Sequence, residues 1–317
     1  MHNCAQLVKL LTESVERNRA DALLLSGGLD SSILASILHP KYSVVVGFGS
    51  DAPDLAYARQ VAEKYSKNHV ESVFAQDRMA ELVAQVIQVL KTFDPIEIRN
   101  SAVALAGIEQ AKNDGYLAIM TGDGADELFA GYNYLSRYYS DVQKLNSELC
   151  RLWQVMHFSS KKLGKHVGVE VKMPFLDEEF AMFAKSISAS EKVGEHGGKN
   201  WGKFILRKCF ETTLCDLVWR PKLAQEQGAA TDKYQNFVEE MIDDLIFASK
   251  VRTAKELDGV RIRSKEHLHY YMIFRSYYPP PKEDDCGLRC PDCLGCIEEG
   301  QRFCRTCGAF PVTAKSL

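Results

Sequence analysis

The chain has 317 residues, 46% of them apolar, with a formal net charge of −3 and a pI near 6.3. Such a length can bury a substantial core, and the slightly acidic balance excludes a bulk basic field for nucleic acid. No apolar run approaches membrane-spanning length, and Glu13 and Glu16 stand where a signal peptide needs an apolar region, so a cytoplasmic protein with no membrane partner is expected.

In chain order, Ala22 to Leu25, Ser43 to Phe48, Val70 to Phe74 and Tyr116 to Met120 are apolar or β-branched runs that predict strands. Between them Ile33 to Leu38, Leu55 to Tyr65, Met79 to Leu90 and Ser101 to Lys112 have helical spacing. This alternation predicts an α/β fold with a doubly wound parallel sheet, in which ligands bind beyond the carboxyl ends of the strands, where the loops opening at Ser26, Gly47 and Thr121 lie. From Leu135 to Ser276 strand signals thin out and a mostly helical second half is expected. Pro279-Pro280-Pro281-Lys282-Glu283-Asp284-Asp285 then reads as a stiff, solvated linker. The expected domains are 1–280 and a small appendage, 281–317.

Ser26-Gly27-Gly28-Leu29-Asp30-Ser31-Ser32 joins the first strand to the first of these helices. Paired glycines let backbone N–H groups approach an anion, and hydroxyls and a helix N-terminus add donors. A carboxylate would be misplaced against bare phosphate, so Asp30 implies a cation between itself and a nucleotide. After the strand ending at Met120 comes Thr121-Gly122-Asp123-Gly124-Ala125-Asp126-Glu127, a second glycine loop crowded with acids that also implies a cation or a cationic substrate. A solvated acidic helix start is the bland alternative.

The first loop resembles the PP-loop of ATP pyrophosphatases, which release pyrophosphate and AMP. Together the two loops look like the synthetase domain of the asparagine synthetase B and β-lactam synthetase family, with an adenine nucleotide alpha hydrolase-like fold. Gly49 to Leu55, Gly168 to Asp177, Lys203-Phe204-Ile205-Leu206-Arg207 and Trp219-Arg220-Pro221-Lys222 extend the likeness over about residues 20–235. The resemblance implies that Asp30 and Asp126 hold Mg2+ on the pyrophosphate, that Ser26, Gly27, Gly28, Ser31 and Ser32 wrap phosphate oxygens of ATP, and that Leu25, Val46 and Gly122 line the adenosine. It makes Lys222 the residue that stabilises charge as an acyl-adenylate forms or breaks down, and Asp123 the catalytic carboxylate facing the incoming amine.

Three departures matter. Asp123 stands where the family usually has Glu. Leu-Ala-Gln-Glu-Gln-Gly follows Lys222 in place of Glu-Ala-Phe-Ser-Asp-Gly, and Ser159-Ser160-Lys161-Lys162 replaces an Arg-Ala-Asp/Asn substrate stretch. Glutamine-using members begin with a glutaminase domain whose N-terminal cysteine is the nucleophile. Here Met1-His2-Asn3-Cys4 leads to the first loop by residue 26, so nitrogen is expected as free ammonia or from a separate glutaminase or carrier partner.

Six of the ten cysteines fall in the last thirty-two residues. Cys290-Pro-Asp-Cys293 and Cys304-Arg-Thr-Cys307 are knuckles at the spacing of a zinc ribbon, in which a structural Zn2+ would supply folding energy. Cys286 and Cys296 are either spare thiols or ligands that would turn the site toward an iron-sulfur cluster. Cys4, Cys150, Cys209 and Cys215 read as ordinary reduced residues.

The leading expectation is an AMP-forming carbon-nitrogen ligase that adenylates a carboxylate, aspartate by family default, for attack by ammonia. A tRNA thiolase-like adenylating enzyme is the alternative, favoured by the ribbon and by Lys250 to Arg275, which has seven Lys/Arg against three Asp/Glu with Tyr270, Tyr271 and Phe274 interleaved. A solvated helix with a buried aromatic face explains that patch equally, and the acidic balance makes a nucleic-acid partner unexpected. A non-catalytic nucleotide-binding protein is the third reading.

Overall fold

The computed structural model describes residues 3–283, 286–312 and 315–316. Asp284 and Asp285 of the expected linker, and Met1 and His2, lie outside the described residues. The chain forms two compact units: residues 1–46, 53–72 and 107–224, and residues 47–52, 73–106 and 225–317.

The first unit carries the sheet apart from the last two residues of each of its second and third strands. Its strands are β1 (Ala22–Leu24), β2 (Tyr42–Phe48), β3 (His69–Phe74), β4 (Ala118–Met120) and β5 (Glu170–Lys172), in the order β3-β2-β1-β4-β5. β1 pairs in parallel with both β2 and β4, and β4 with β5. The order therefore reverses between β1 and β4, the crevice where open parallel sheets bind ligands. Tyr42 to Gly47 are buried at every position, as expected of a parallel strand covered on both faces.

α1 (Asn3–Arg17), which the strand-helix alternation left unread, buries Leu7, Leu10, Leu11, Ser14 and Val15 on one stripe. Ser14 Oγ donates to the Pro174 carbonyl at 2.7 Å. α2 (Leu29–Leu38), α3 (Pro53–Tyr65), α4 (Gln76–Leu90) and α5 (Pro95–Asn113) follow the expected helices, each starting earlier than spacing alone suggested. Then come α6 (Ala125–Leu128), α7 (Val142–Val155), α8 (Ser159–Val167), α9 (Glu178–Ser186) and α10 (Ala189–Lys192). The helical half also contains β5 and an antiparallel hairpin, β6 (Val193–His196) with β7 (Lys199–Gly202), before α11 (Phe204–Leu214). Cys4 and Cys209 are disulfide-bonded, correcting the expectation that both are reduced, whereas Cys150 and Cys215 are free and exposed.

The second unit holds α12 (Gln225–Gly228), α13 (Tyr234–Met241), α14 (Asp244–Thr253), α15 (Lys265–Tyr277) and the cysteine tail. Tyr270, Tyr271 and Phe274 of α15 are buried, and Arg99 is ion-paired with Glu266 at 2.7 Å in the core. The aromatic residues of the basic stretch thus face inward. Of the expected linker, Pro280 and Pro281 are buried, whereas Pro279, Lys282 and Glu283 are exposed, with Lys282 Nζ donating to the Leu257 carbonyl. Among the described residues no helix is long and apolar enough to cross a membrane.

Candidate functional site

The first loop leaves β1 at Leu25, which is buried and donates its N–H to the Val44 carbonyl at 2.8 Å. Gly27 turns the chain with φ +68, and a Cβ there would lie 2.5 Å from the Ala58 nitrogen, so no larger residue fits. Ser26 Oγ accepts from the Gly28 N–H at 3.2 Å and lies 3.2 Å from Ser31 Oγ, which donates to the Gly28 carbonyl. Gly28 caps α2 without a side-chain acceptor for the first-turn amides. Ser32 Oγ and Asp30 Oδ1 are buried with no hydrogen-bond partner. A preorganised hydroxyl and carboxylate left open in this way suit a polar guest.

Arg220 fixes the loop from outside. Its guanidinium donates to the Ser26 carbonyl at 3.1 Å and to Asp54 Oδ1 at 2.5 Å, and lies 3.8 Å from the centre of the Tyr57 ring. Burial pushes the Asp54 carboxyl up, and the adjacent Arg220 opposes this. Val46, at 2% exposure, packs beside α5: a Cβ on Gly107 would lie 2.4 Å from Leu24 Cδ1 and 3.3 Å from Val46 Cγ2.

The second loop leaves β4 where Thr121 donates its N–H to the Lys172 carbonyl on β5 at 2.9 Å. Gly122 passes the first loop so closely that a Cβ would lie 3.0 Å from Asp30 Cβ. Asp123 Oδ2 accepts from Thr121 Oγ1 at 3.0 Å and from Ser160 Oγ on α8. Burial raises the Asp123 carboxyl above its ordinary range; Asp126 and Asp30 add to this and the two hydroxyls oppose it.

Asp30 and Asp126 meet on Lys203. Its Nζ lies 2.5 Å from Asp30 Oδ2 and 2.7 Å from Asp126 Oδ1, while Lys222 Nζ lies 2.5 Å from Asp126 Oδ2. Lys203 is buried, caps α11 from the left-handed region at φ 54, and donates its N–H to the Phe129 carbonyl at 2.8 Å. Gly131 leaves room for the pair, since a Cβ there would lie 1.9 Å from Asp126 Oδ1 and 2.2 Å from Lys203 Cε. Burial opposes the Asp126 charge, yet Lys203 and Lys222 outweigh it and hold the carboxyl well below the usual range. Burial likewise works against the Lys203 ammonium and is overcome by Asp126 and Asp30. A single cation thus already bridges the two aspartates. Asp30 Oδ1 adds an open oxygen, so this donor set fits a hard divalent ion such as Mg2+.

Sequence reading missed Lys203, Arg220 and Ser160 as parts of this cluster. Lys203 and Arg220 lie in stretches that carried the family resemblance. Ser160 lies in one of the departures.

The second candidate centre is in the tail. Cys290, Cys293, Cys304 and Cys307 are buried with their Sγ atoms all within 4.8 Å of one another. Cys290 and Cys307 sulfurs are 3.8 Å apart, and those of Cys293 and Cys304 3.6 Å. Sulfurs about 2.3 Å from a tetrahedral zinc stand about 3.8 Å apart, so the cluster fits that ion. The Asp292 and Gly295 N–H groups donate to Cys290 Sγ and Cys293 Sγ at 3.4 Å, which favours thiolates. Cys286 and Cys296 are disulfide-bonded to each other and stand outside the cluster. The second knuckle is seated on the start of α5: Phe93 donates its N–H to the Thr306 carbonyl at 2.8 Å and Thr92 Oγ1 donates to the Arg305 carbonyl at 2.7 Å.

A parallel sheet with two glycine-rich, acid-bearing loops at its switch point is the architecture of a nucleotide-binding α/β protein. The sequence matches the family described as Asparagine synthase over residues 6–156 and 143–271. It is 30% identical over 303 residues to asparagine synthetase [glutamine-hydrolyzing] of Gallus gallus, covering 86% of this chain and 52% of that protein. Against the probable asparagine synthetase [glutamine-hydrolyzing] of Dictyostelium discoideum the identity is 31% over 321 residues, covering 90% and 54%. Against the Homo sapiens asparagine synthetase [glutamine-hydrolyzing] it is 29% over 304 residues, covering 88% and 52%. The chain belongs to the asparagine synthase family, and it spans about half the length of the curated relatives it matches.

Proposed function

We propose that the chain is an AMP-forming amide ligase that adenylates a carboxylate, aspartate by family default, for attack by ammonia. The observation that carries this reading is the sharing of one ammonium by Asp30 and Asp126, each from a different loop of the switch-point crevice. Two carboxylates that already share a cation can share Mg2+ on a pyrophosphate. Leu25, Val46 and Gly122 line the adenosine in this reading, and Ser26, Gly27, Gly28, Ser31 and Ser32 take the phosphate oxygens.

Bound Mg2+ would neutralise phosphate charge during attack of the carboxylate on ATP. The chain's own residues supply the rest. Lys222, beside Asp126, offers an ammonium to the charge that develops as the acyl-adenylate forms and collapses. Asp123 takes the proton released when the amine attacks. Family membership and the relatives' printed names support nitrogen transfer. Ammonia, free or from a separate glutaminase or carrier partner, is the proposed donor.

The division into a synthetase domain, 1–280, and a linker with a zinc ribbon, 281–317, belongs to the same reading, as does a cytoplasmic location. The ribbon's metal would be structural, held by Cys290, Cys293, Cys304 and Cys307. Incubation with ATP, Mg2+, ammonia and a panel of carboxylates, with AMP and amide measured, tests the function.

A further inference from the structure

Two positions at which this sequence departs from its family meet in the first unit. Asp123 has a side chain one methylene shorter than the usual Glu, and Ser160 belongs to Ser159-Ser160-Lys161-Lys162. Ser160 Oγ donates to Asp123 Oδ2 across 37 residues of sequence, and Thr121 Oγ1 donates to the same oxygen at 3.0 Å. Both hydroxyl-bearing residues are buried.

The Ser160 hydroxyl does not serve its own helix. α8 has no side-chain cap, its N-cap residue being Phe158. Ser160 instead points away from the helix, also approaching Met173 Sδ at 3.7 Å. α8 is in turn held tightly against the sheet, because a Cβ on Gly164 would lie 2.5 Å from Val171 Cγ2 and 2.7 Å from the Val169 carbonyl. The donor is therefore fixed in place before any ligand arrives. The charged groups facing Asp123 are Asp126 and Asp30, with Glu127 beside them and Lys203 and Lys222 engaged on Asp126.

We propose that Ser160 is a positioning residue that orients the Asp123 carboxylate to take a proton from the amine during amide formation. The inference rests on the ligase reading above. In the step concerned, the nitrogen lone pair forms the C–N bond, the acyl C–O bond breaks with its electrons leaving on AMP, and one nitrogen proton passes to Asp123. Two hydroxyls on one oxygen hold a short carboxylate at a single angle, offsetting the missing methylene. The role belongs to the second half-reaction only, because adenylation of the carboxylate moves no proton to Asp123.

The test separates the halves in Ser160→Ala, Ser160→Thr and Asp123→Asn, using ATP, Mg2+, L-aspartate and ammonia. In Ser160→Ala, aspartate-dependent exchange of pyrophosphate into ATP should stay within about twofold of the unaltered chain, while amide formation falls about ten- to a hundredfold, the worth of a hydrogen bond to a charged group. Ser160→Thr, which keeps the hydroxyl, should recover most of the amide rate. Equal losses in both halves, or no loss in either, would overturn the role. A double-mutant cycle on thermal unfolding checks the contact independently: Ser160→Ala should lower Tm in the native background and leave it unchanged in Asp123→Ala. Equal lowering in both backgrounds would overturn it. Full amide formation by Asp123→Asn would remove the group that Ser160 is said to orient. Absence of aspartate-dependent exchange in the unaltered chain would sink the aspartate ligase reading and this role together, while the cycle would still report on the contact.

Discussion

Lys203 Nζ lies 2.5 Å from Asp30 Oδ2, joining residues 173 apart in sequence, and the same nitrogen reaches Asp126. An ammonium at 3% side-chain exposure is thereby the counter-charge that both aspartates share, while Lys222 serves Asp126 alone. Its removal leaves Asp30 without its ammonium and Asp126 with Lys222 alone. Lys203→Met should lower the unfolding free energy by about 3 to 5 kcal/mol, the range for breaking a buried pair from one side. Mg2+ should recover part of that loss by binding the aspartates in place of the lost ammonium. Urea denaturation with and without Mg2+ checks this, and a Mg2+ effect no larger than in the unaltered chain would contradict it.

Lys222 is the more exposed of the two lysines, at 28% against 3%, so it can turn toward a substrate at smaller cost. Lys222→Ala should slow AMP-linked turnover about a hundredfold while changing ATP affinity little, because its charge acts on the transition state. Calorimetric ATP binding beside turnover is the check. Weakened binding with unchanged turnover would point to a ground-state contact instead.

The tail is expected to hold one zinc per chain. Cys290→Ser with Cys293→Ser, or Cys304→Ser with Cys307→Ser, should lose the metal; Cys286→Ser with Cys296→Ser should keep it. Because Phe93 and Thr92 are bonded to the second knuckle, chelation should also speed amide exchange at the Phe93 N–H, whose acceptor is the Thr306 carbonyl. Metal analysis and hydrogen exchange on the same sample decide this. Unchanged exchange after proven metal loss would show that the knuckle does not hold the start of α5.

His267 supplies a pH dependence. It is fully buried, 5.2 Å from the centre of Phe93, and its Nδ1 accepts the Arg263 N–H at 3.2 Å. Burial, aided by the Arg263 charge, pushes its pKa down to about 3. The unfolded chain titrates near the ordinary value of about 6.5. Unfolding therefore takes up a proton between these values, so this contribution to stability is complete above about pH 6.5 and is lost as pH falls toward 3. His267→Phe should flatten that part of the profile by an amount on the order of 5 kcal/mol. Parallel stability curves for the two proteins across this window would refute it.

What the sequence disclosed follows from how local each signal is. β1, β2 and β4 are apolar runs whose burial is written in their own composition, and the two glycine loops follow β1 and β4; β3 mixes Val70 and Val73 with His69, Glu71 and Ser72 and has no fully buried position. β5 is only Glu170-Val171-Lys172, and it is a strand because its backbone pairs with Ala118 to Met120. The order of the strands, which brings Asp30 and Asp126 together, lies in nonlocal pairing and not in any periodicity. Lys203 heads a stretch that marked the family, yet nothing in Lys-Phe-Ile-Leu-Arg names its two distant carboxylate partners. The Cys4–Cys209 bond spans 205 residues and was equally invisible. The knuckle cysteines were legible because four ligands fall within eighteen residues, whereas the seating of the knuckle on Thr92 and Phe93 depends on tertiary packing.

Nucleotide chemistry at the paired aspartates underlies every role assigned above. Its most direct test is AMP release by the purified chain in ATP, Mg2+, ammonia and L-aspartate, with Asp30→Asn and Asp126→Asn run beside it. The unaltered chain should form AMP and amide in equal amounts and depend on Mg2+, and each variant should lose both products. No AMP with any carboxylate of a broad panel, or undiminished Mg2+-dependent turnover in both variants, would contradict it.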